Sequence, residues 1–172
     1  MAKILIAYYS RRGENYVNGA IKNLALGNTE VVAAKIKALL PQADVFQIDT
    51  TYEYSKSYMT CIEEAKKELR EKARPEVKNP LPGIEQYDTI ILGYSNWWGT
   101  MPMVCYTFLE SYDFTGKTII PFCTNEGSGM GSSVRFIKQL CPSATVLSGI
   151  SIHGAEAQQA DREARQIADM AR

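Results

Sequence analysis

Histidine is nearly absent from this chain: His153 stands alone, so a site built on several imidazoles is excluded. Cysteine is sparse and scattered. Cys61, Cys105, Cys123 and Cys141 form no CxxC pair, which argues against a zinc site or a disulfide framework and for a reducing, cytoplasmic setting. No charge of either sign is in excess. The 19 Lys and Arg balance the 19 Asp and Glu, and such a chain does not advertise nucleic acid as a partner. No apolar run is long enough to span a bilayer, so no membrane partner is expected. Residues 1–14 hold too short an apolar stretch for a secretory signal and no small-residue cleavage site, so they read as a first strand. Neither GxxxxGK[ST] nor GxGxxG occurs, and nucleotide triphosphates and dinucleotides lose ground as ligands.

What is present is a regular alternation. The 172 residues, 45% of them apolar, suit one domain over 1–172 with a substantial core. Residues 3–8 (KILIAY) are a run fit for a strand buried on both faces. After Asn28-Thr29-Glu30, the residues Val31, Val32, Ile36, Leu39 and Leu40 recur at helical spacing until Pro41 stops them. Residues 43–48 read as a second strand. Residues 56–74, rich in Glu, Lys and Ala, read as a solvated surface helix. Strands follow over 87–93, 117–123 and 145–150, and helices over 104–111, 134–140 and 155–171. Five strands alternating with five helices predict an α/β fold: an open parallel sheet with helices on both faces.

Such sheets bind ligands beyond the carboxyl ends of their strands, where strand order reverses. The loops after the first, third and fourth strands are therefore the candidate site, and all three are unusual in composition. In the first, Ser10, Asn15, Asn28 and Thr29 offer hydroxyl and amide donors, Gly13 permits close backbone approach, and a helix start offers a seat for phosphate. Helix capping by Asn28 or Thr29 is the simpler account of those two residues taken alone. Arg11 and Arg12 are candidates to offset phosphate charge, with at least one of them expected in solvent.

The second loop, Ser95-Asn96-Trp97-Trp98-Gly99-Thr100-Met101-Pro102, holds both tryptophans. Indole rings suit stacking on a planar aromatic ligand, and Gly99 can turn its peptide toward a ring nitrogen whose protonation changes. Core packing or a dimer contact is the competing account. The third loop runs Thr124-Asn125-Glu126-Gly127-Ser128-Gly129-Met130-Gly131-Ser132-Ser133. Its glycines suit main-chain hydrogen bonds to a flat ring, or simply a turn into the next helix. His153, beyond the last strand, and Tyr52, Tyr54 and Tyr58, after the second, lie near this edge by topology. For His153 a surface-loop role is a simpler account than a proton donor, and for the tyrosines helix packing serves as well as a lid or partner surface.

With these loops on the page, the chain resembles the flavodoxin-like family. The segment Ile6-Ala7-Tyr8-Tyr9-Ser10-Arg11-Arg12-Gly13, joined to Asn28-Thr29-Glu30-Val31-Val32-Ala33, resembles the FMN-phosphate signature. Ser10, Gly13, Thr29 and Ala33 then fill its places, and residues 14–27 are an insertion. SNWWGTMP is similar to the flavin-stacking loop of such proteins. The resemblance implies strand order 2-1-3-4-5 and FMN as cofactor. It places the cofactor on Ser10, Arg12, Gly13, Asn15, Asn28, Thr29, Ser95, Asn96, Trp97, Trp98, Gly99, Thr124, Asn125, Glu126, Gly127 and Gly129; acceptance of a flavin ring N–H and a plain exposed loop carboxylate serve Glu126 equally well. It implies electron transfer with redox partner proteins, or oxidoreductase chemistry with NAD(P)H and a quinone or other small acceptor, in a monomer or homodimer. A flavin-free binding domain on the same fold is the third reading. The formal neutrality departs from the strong acidity of flavodoxins that shuttle electrons between large partners.

Overall fold

The computed structural model describes residues 3–172. The first apolar run forms β1 (Ile4–Tyr8). A two-stranded antiparallel hairpin follows, β2 (Gly13–Val17) and β3 (Ala20–Leu24), and then α1 (Asn28–Leu39). Next come β4 (Asp44–Gln47), α2 (Tyr58–Arg70), β5 (Thr89–Ser95) and α3 (Met103–Glu110). The chain ends with β6 (Thr118–Asn125), α4 (Ser133–Leu140), β7 (Thr145–Val146), β8 (Ile150–His153), a 3-10 segment over Gly154–Gln159 and α5 (Asp161–Ala171).

The α/β class expected from the alternation is present. The main sheet is parallel, in the order β4-β1-β5-β6-β7, with β8 also paired to β6. The expected order 2-1-3-4-5 describes the core strands, but the last one is broken, so the sheet has six strands where five were expected. The break falls beside Pro121, in the middle of β6, which has no N–H to give a ladder. At the break Gly149 takes φ +82°, and a Cβ there would lie 2.7 Å from the Pro121 carbonyl oxygen. The expected helix over 155–171 likewise begins as a 3-10 turn.

Alternation along the strands divides the core into two layers. Leu5, Ala7, Ile90, Leu92 and Tyr94 face the side covered by α3 and α4. Ile6, Tyr8, Ile91, Ile120 and Phe122 face α1 and α5 on the other. All four cysteines are buried and unpaired, Cys123 among them as a small core residue. No helix among the described residues is long and apolar enough to cross a membrane.

Residues 14–27, expected only as an insertion, hold most of the hairpin, whose strands end at Leu24. Its register runs from Gly13↔Leu24 to Val17↔Ala20, and Asn18 (φ 54°) and Gly19 (φ 85°) form the turn. Two consecutive positive φ values define a type I′ turn, the geometry that Asn-Gly favours. The pair Asn18-Gly19 was therefore a hairpin signal in the sequence.

Candidate functional site

The carboxyl ends of β1, β5 and β6 open into a cleft of about 360 Å³, a size that suits a small-molecule site. Parallel pairing aligns Ser95 with Thr124 at the last rungs of β5 and β6, so both hydroxyls project from strand ends and not from loose loops. Behind them Thr29 is fully buried, its Oγ1 2.8 Å from Thr124 Oγ1 and 3.2 Å from Ser95 Oγ. Thr29, expected to meet a phosphate with its side chain, instead braces the two hydroxyls that line the cleft.

The start of α1 is assembled from across the loop. Gly27 is the N-cap and has no side chain to offer, so Ser10 Oγ accepts the Glu30 N–H (3.1 Å) in its place. Glu30 Oε1 in turn accepts the Gly27 N–H at 3.3 Å. A Cβ on Gly27 would lie 2.1 Å from Ser10 Oγ and 2.6 Å from the Arg11 carbonyl oxygen. The glycine demanded by close approach is thus Gly27, and not Gly13 as expected. Gly13 opens the hairpin at φ +87°, with the nearest atom to its would-be Cβ 3.9 Å away. The backbone N–H groups of Asn28 and Thr29, in the first turn, have no intrahelical acceptor.

Arg12 is also displaced from its expected place. It lies 62% exposed and pairs with Glu30 at 2.6 Å, holding that carboxyl below its usual range chiefly through the hydrogen bond. Arg11 takes the cleft wall instead. Its Nε donates to the Glu14 carbonyl (2.9 Å), and its Nη2 to those of Ser55 (2.9 Å) and Lys56 (3.1 Å). Asn15 lines the cleft and donates to the Arg11 and Gly13 carbonyls, fastening the foot of the hairpin.

The second loop makes a tight turn in which Trp98 (φ 56°) and Gly99 (φ 87°) both have positive φ, closed between Trp97 and Thr100. The two indoles therefore part. Trp97 packs edge-on against Tyr9 and Tyr54, with centroids 5.2 and 5.3 Å away, at the border of the core. Trp98 is 47% exposed, donates Nε1–H to the Ile62 carbonyl (2.8 Å), and carries Lys66 over its ring. Asn96 ties this loop to the third: Oδ1 accepts the Gly99 N–H, and Nδ2 donates to the Gly129 carbonyl. The Gly99 carbonyl accepts from Ser132 N–H at 2.7 Å, so the peptides on both sides of Gly99 are tied by hydrogen bonds.

In the third loop Asn125 Oδ1 accepts the N–H groups of Gly127 and Gly129, folding the glycine run around one side chain. Gly127 and Gly129 thus serve the turn and do not line the cleft. Glu126 reaches the hairpin tip, where it accepts the Asn18 N–H, and also accepts from Ala155 N–H at 3.2 Å. His153 Nε2 lies 3.5 Å from it.

Of the expected residues, the cleft wall brings together Asn15, Asn28, Ser95, Asn96, Trp97, Trp98, Gly99, Thr124, Asn125 and Glu126. Ser10, Arg12, Gly13, Thr29, Gly127 and Gly129 stand behind or beside it. The reading of residues 56–74 as a solvated helix is corrected: one face of α2, carrying Tyr58, Cys61, Ile62 and Ala65, forms a wall of the cleft. Their spacing of three, one and three is an apolar helical stripe, a signal present in the sequence under the flanking charges. Tyr58 stacks on Tyr16 of the hairpin (centroids 6.1 Å), and Tyr52 and Tyr54 bond Glu64 and Glu68 of α2. Burial pushes the Cys61 thiol up to about 11, so it lines the cleft as a neutral group. Among the described residues no group of three or more His, Cys, Asp or Glu could hold a metal ion.

Three loops, a helix N-terminus and an aromatic wall meet at the switch point of a parallel sheet, the arrangement of the open α/β class. The model of the flavodoxin family matches residues 3–165, and the chain belongs to that family. In fold it is similar to a provisionally designated flavoprotein of Bacteroides eggerthii DSM 20697, with 26% identity and a TM-score of 0.77 over 99% of this chain and 98% of that one. A provisionally designated flavoprotein of Bacteroides uniformis ATCC 8492 gives 24% and 0.73 over 94% and 96%. A flavoprotein of Lactobacillus acidophilus NCFM, solved in complex with FMN, gives 19% and 0.64 over 92% and 98%. A comparison with curated proteins gave no match.

Proposed function

We propose that the chain binds FMN in this cleft and uses it to transfer electrons. The observation that carries the reading is the pinch at Gly27: a helix start whose first N–H groups face a loop too tight for any Cβ, beside two aligned hydroxyls. A phosphate suits that donor set. Asn28 and Thr29 would hold it by their backbone N–H groups, with Ser95 and Thr124 adding hydroxyls. Trp98 offers an exposed aromatic face, and the third loop, folded around Asn125, brings Asn125, Glu126 and Ser128 to the cleft wall. When bound, the flavin supplies the redox chemistry; the protein positions it and sets its electrostatics. Membership of the flavodoxin family and the FMN-bound Lactobacillus neighbour support the same cofactor.

The test is a titration of apo-protein with FMN, followed by Trp fluorescence and visible absorbance. Saturable quenching at one FMN per chain is expected, and an unchanged spectrum at high micromolar FMN rejects the reading. Redox partner proteins are the favoured donors and acceptors. The formal neutrality of the chain favours a second reading, reduction by NAD(P)H, because it supplies no strong field for steering a protein partner. NADH or NADPH consumption by the holoprotein alone, with a quinone present, separates the two.

A further inference from the structure

Arg11 is a cation whose surroundings account for only part of its hydrogen-bonding capacity. Three of its five N–H groups are committed to main-chain carbonyls of Glu14, Ser55 and Lys56, which immobilise the guanidinium. No carboxylate lies within ion-pair distance of it among the described residues. The two Nη1 N–H groups remain. Arg11 lines the cleft, and Glu126 is the other charged side chain on that wall. Glu126 is already engaged by the N–H groups of Asn18 and Ala155. Its Nη2 bonds to the Ser55 and Lys56 carbonyls fix the guanidinium to the approach of α2, whose Tyr58 and Cys61 line the same cleft. Burial raises the Tyr58 phenol and the Cys61 thiol, and the Arg11 charge opposes that rise, so its field reaches this wall of the cleft.

We propose that Arg11 is the charge-recognition residue of the ring site, binding the reduced flavin anion more tightly than the oxidised flavin. The inference rests on the FMN reading above. In the titration, dithionite supplies two electrons and solvent supplies one proton. Oxidised FMN then becomes the reduced anion, with hydrogen added at N5 and one negative charge at the N1 side of the ring. A held, partly desolvated cation beside that ring favours the product over the reactant.

The experiment compares wild type, Arg11→Met and Arg11→Lys, each as FMN holoprotein. It measures the two-electron midpoint potential by dithionite titration against a reference dye, and the affinities for FMN and riboflavin. Arg11→Met is expected to lose about tenfold in its preference for reduced over oxidised FMN, which is about 30 mV for a two-electron couple. Arg11→Lys breaks the same carbonyl contacts but keeps the charge, so its potential should stay near wild type. An unchanged potential in Arg11→Met, or equal shifts in both variants, overturns the proposal. So does a loss of FMN affinity without loss of riboflavin affinity at unchanged potential, which assigns Arg11 to the phosphate. Failure of wild type to bind FMN overturns the cofactor reading and this inference with it.

Discussion

Trp98 donates its indole N–H to the main-chain carbonyl of Ile62, 2.8 Å away in the first half of α2. That bond links the Gly99 turn to the helix wall and holds an exposed aromatic ring at the mouth of the cleft, whereas neighbouring Trp97 is turned into the core border.

The two tryptophans should therefore behave differently. Trp98→Ala is expected to keep the fold and weaken FMN binding at least tenfold, as stacking is lost. Trp97→Ala should instead destabilise the protein by about 3 kcal/mol, because its contacts with Tyr9 and Tyr54 belong to packing. Urea unfolding alongside FMN titration of both variants checks the division. Equal FMN loss with equal stability in the two variants would show that the loop does not divide its rings in this way.

Gly27 and Gly13 give a second contrast. Gly27→Ala places a methyl 2.1 Å from Ser10 Oγ and 2.6 Å from the Arg11 carbonyl oxygen, so the start of α1 must move and FMN binding should be lost. Gly13→Ala meets only an ordinary contact, Asn23 Oδ1 at 3.9 Å, and is strained only by its positive φ, costing about 1 kcal/mol with FMN affinity retained. Calorimetric titration of FMN into each variant reads the difference.

A third expectation concerns the hydroxyls. Ser95→Ala combined with Thr124→Val should reduce affinity for FMN at least tenfold while affecting riboflavin much less, since bonds to a charged phosphate are worth roughly 1.5–3 kcal/mol each. Parallel titrations with both flavins measure the ratio. A ratio equal to that of wild type would place the phosphate elsewhere.

The Arg12–Glu30 pair makes the acid limb of stability testable. Arg12 holds the Glu30 carboxyl below its unfolded value. The pair's stabilisation is thus full above the unfolded carboxyl range, near pH 4.5, and is lost as pH falls through the lowered folded value. Because Arg12 is largely exposed, solvent screening keeps the contribution small. Arg12→Met is expected to flatten the loss of stability between pH 5 and 3, measured by urea midpoints. An identical acid slope in variant and wild type would show that the pair contributes nothing.

Much of this architecture follows from local pattern. Apolar runs at 4–8, 89–95 and 118–125 can be buried only between layers of helix, which implies a parallel sheet and puts the ligand edge at the ends of those strands. The double tryptophan and the glycine-rich loop were legible for the same reason, since their composition is unsuited to plain connections. Asn18-Gly19 and the stripe Tyr58-Cys61-Ile62-Ala65 are equally present in the sequence, but the first lies inside an apparent insertion and the second is masked by the Glu and Lys around it.

By itself, then, the sequence determined the alternation of elements, the edge of the sheet that carries the site and the residue types gathered there. Tertiary structure alone decided which of them meet. Ser10 caps a helix that begins eighteen residues later, because the hairpin returns the chain to its starting point and makes Gly27 its neighbour. Arg11 enters the cleft and Arg12 leaves it because the partners that hold them, the carbonyls of Ser55 and Lys56 and the carboxylate of Glu30, come from different elements on opposite sides of the loop. Adjacent side chains on extended backbone point apart, and only distant contacts determine which of them faces the ligand.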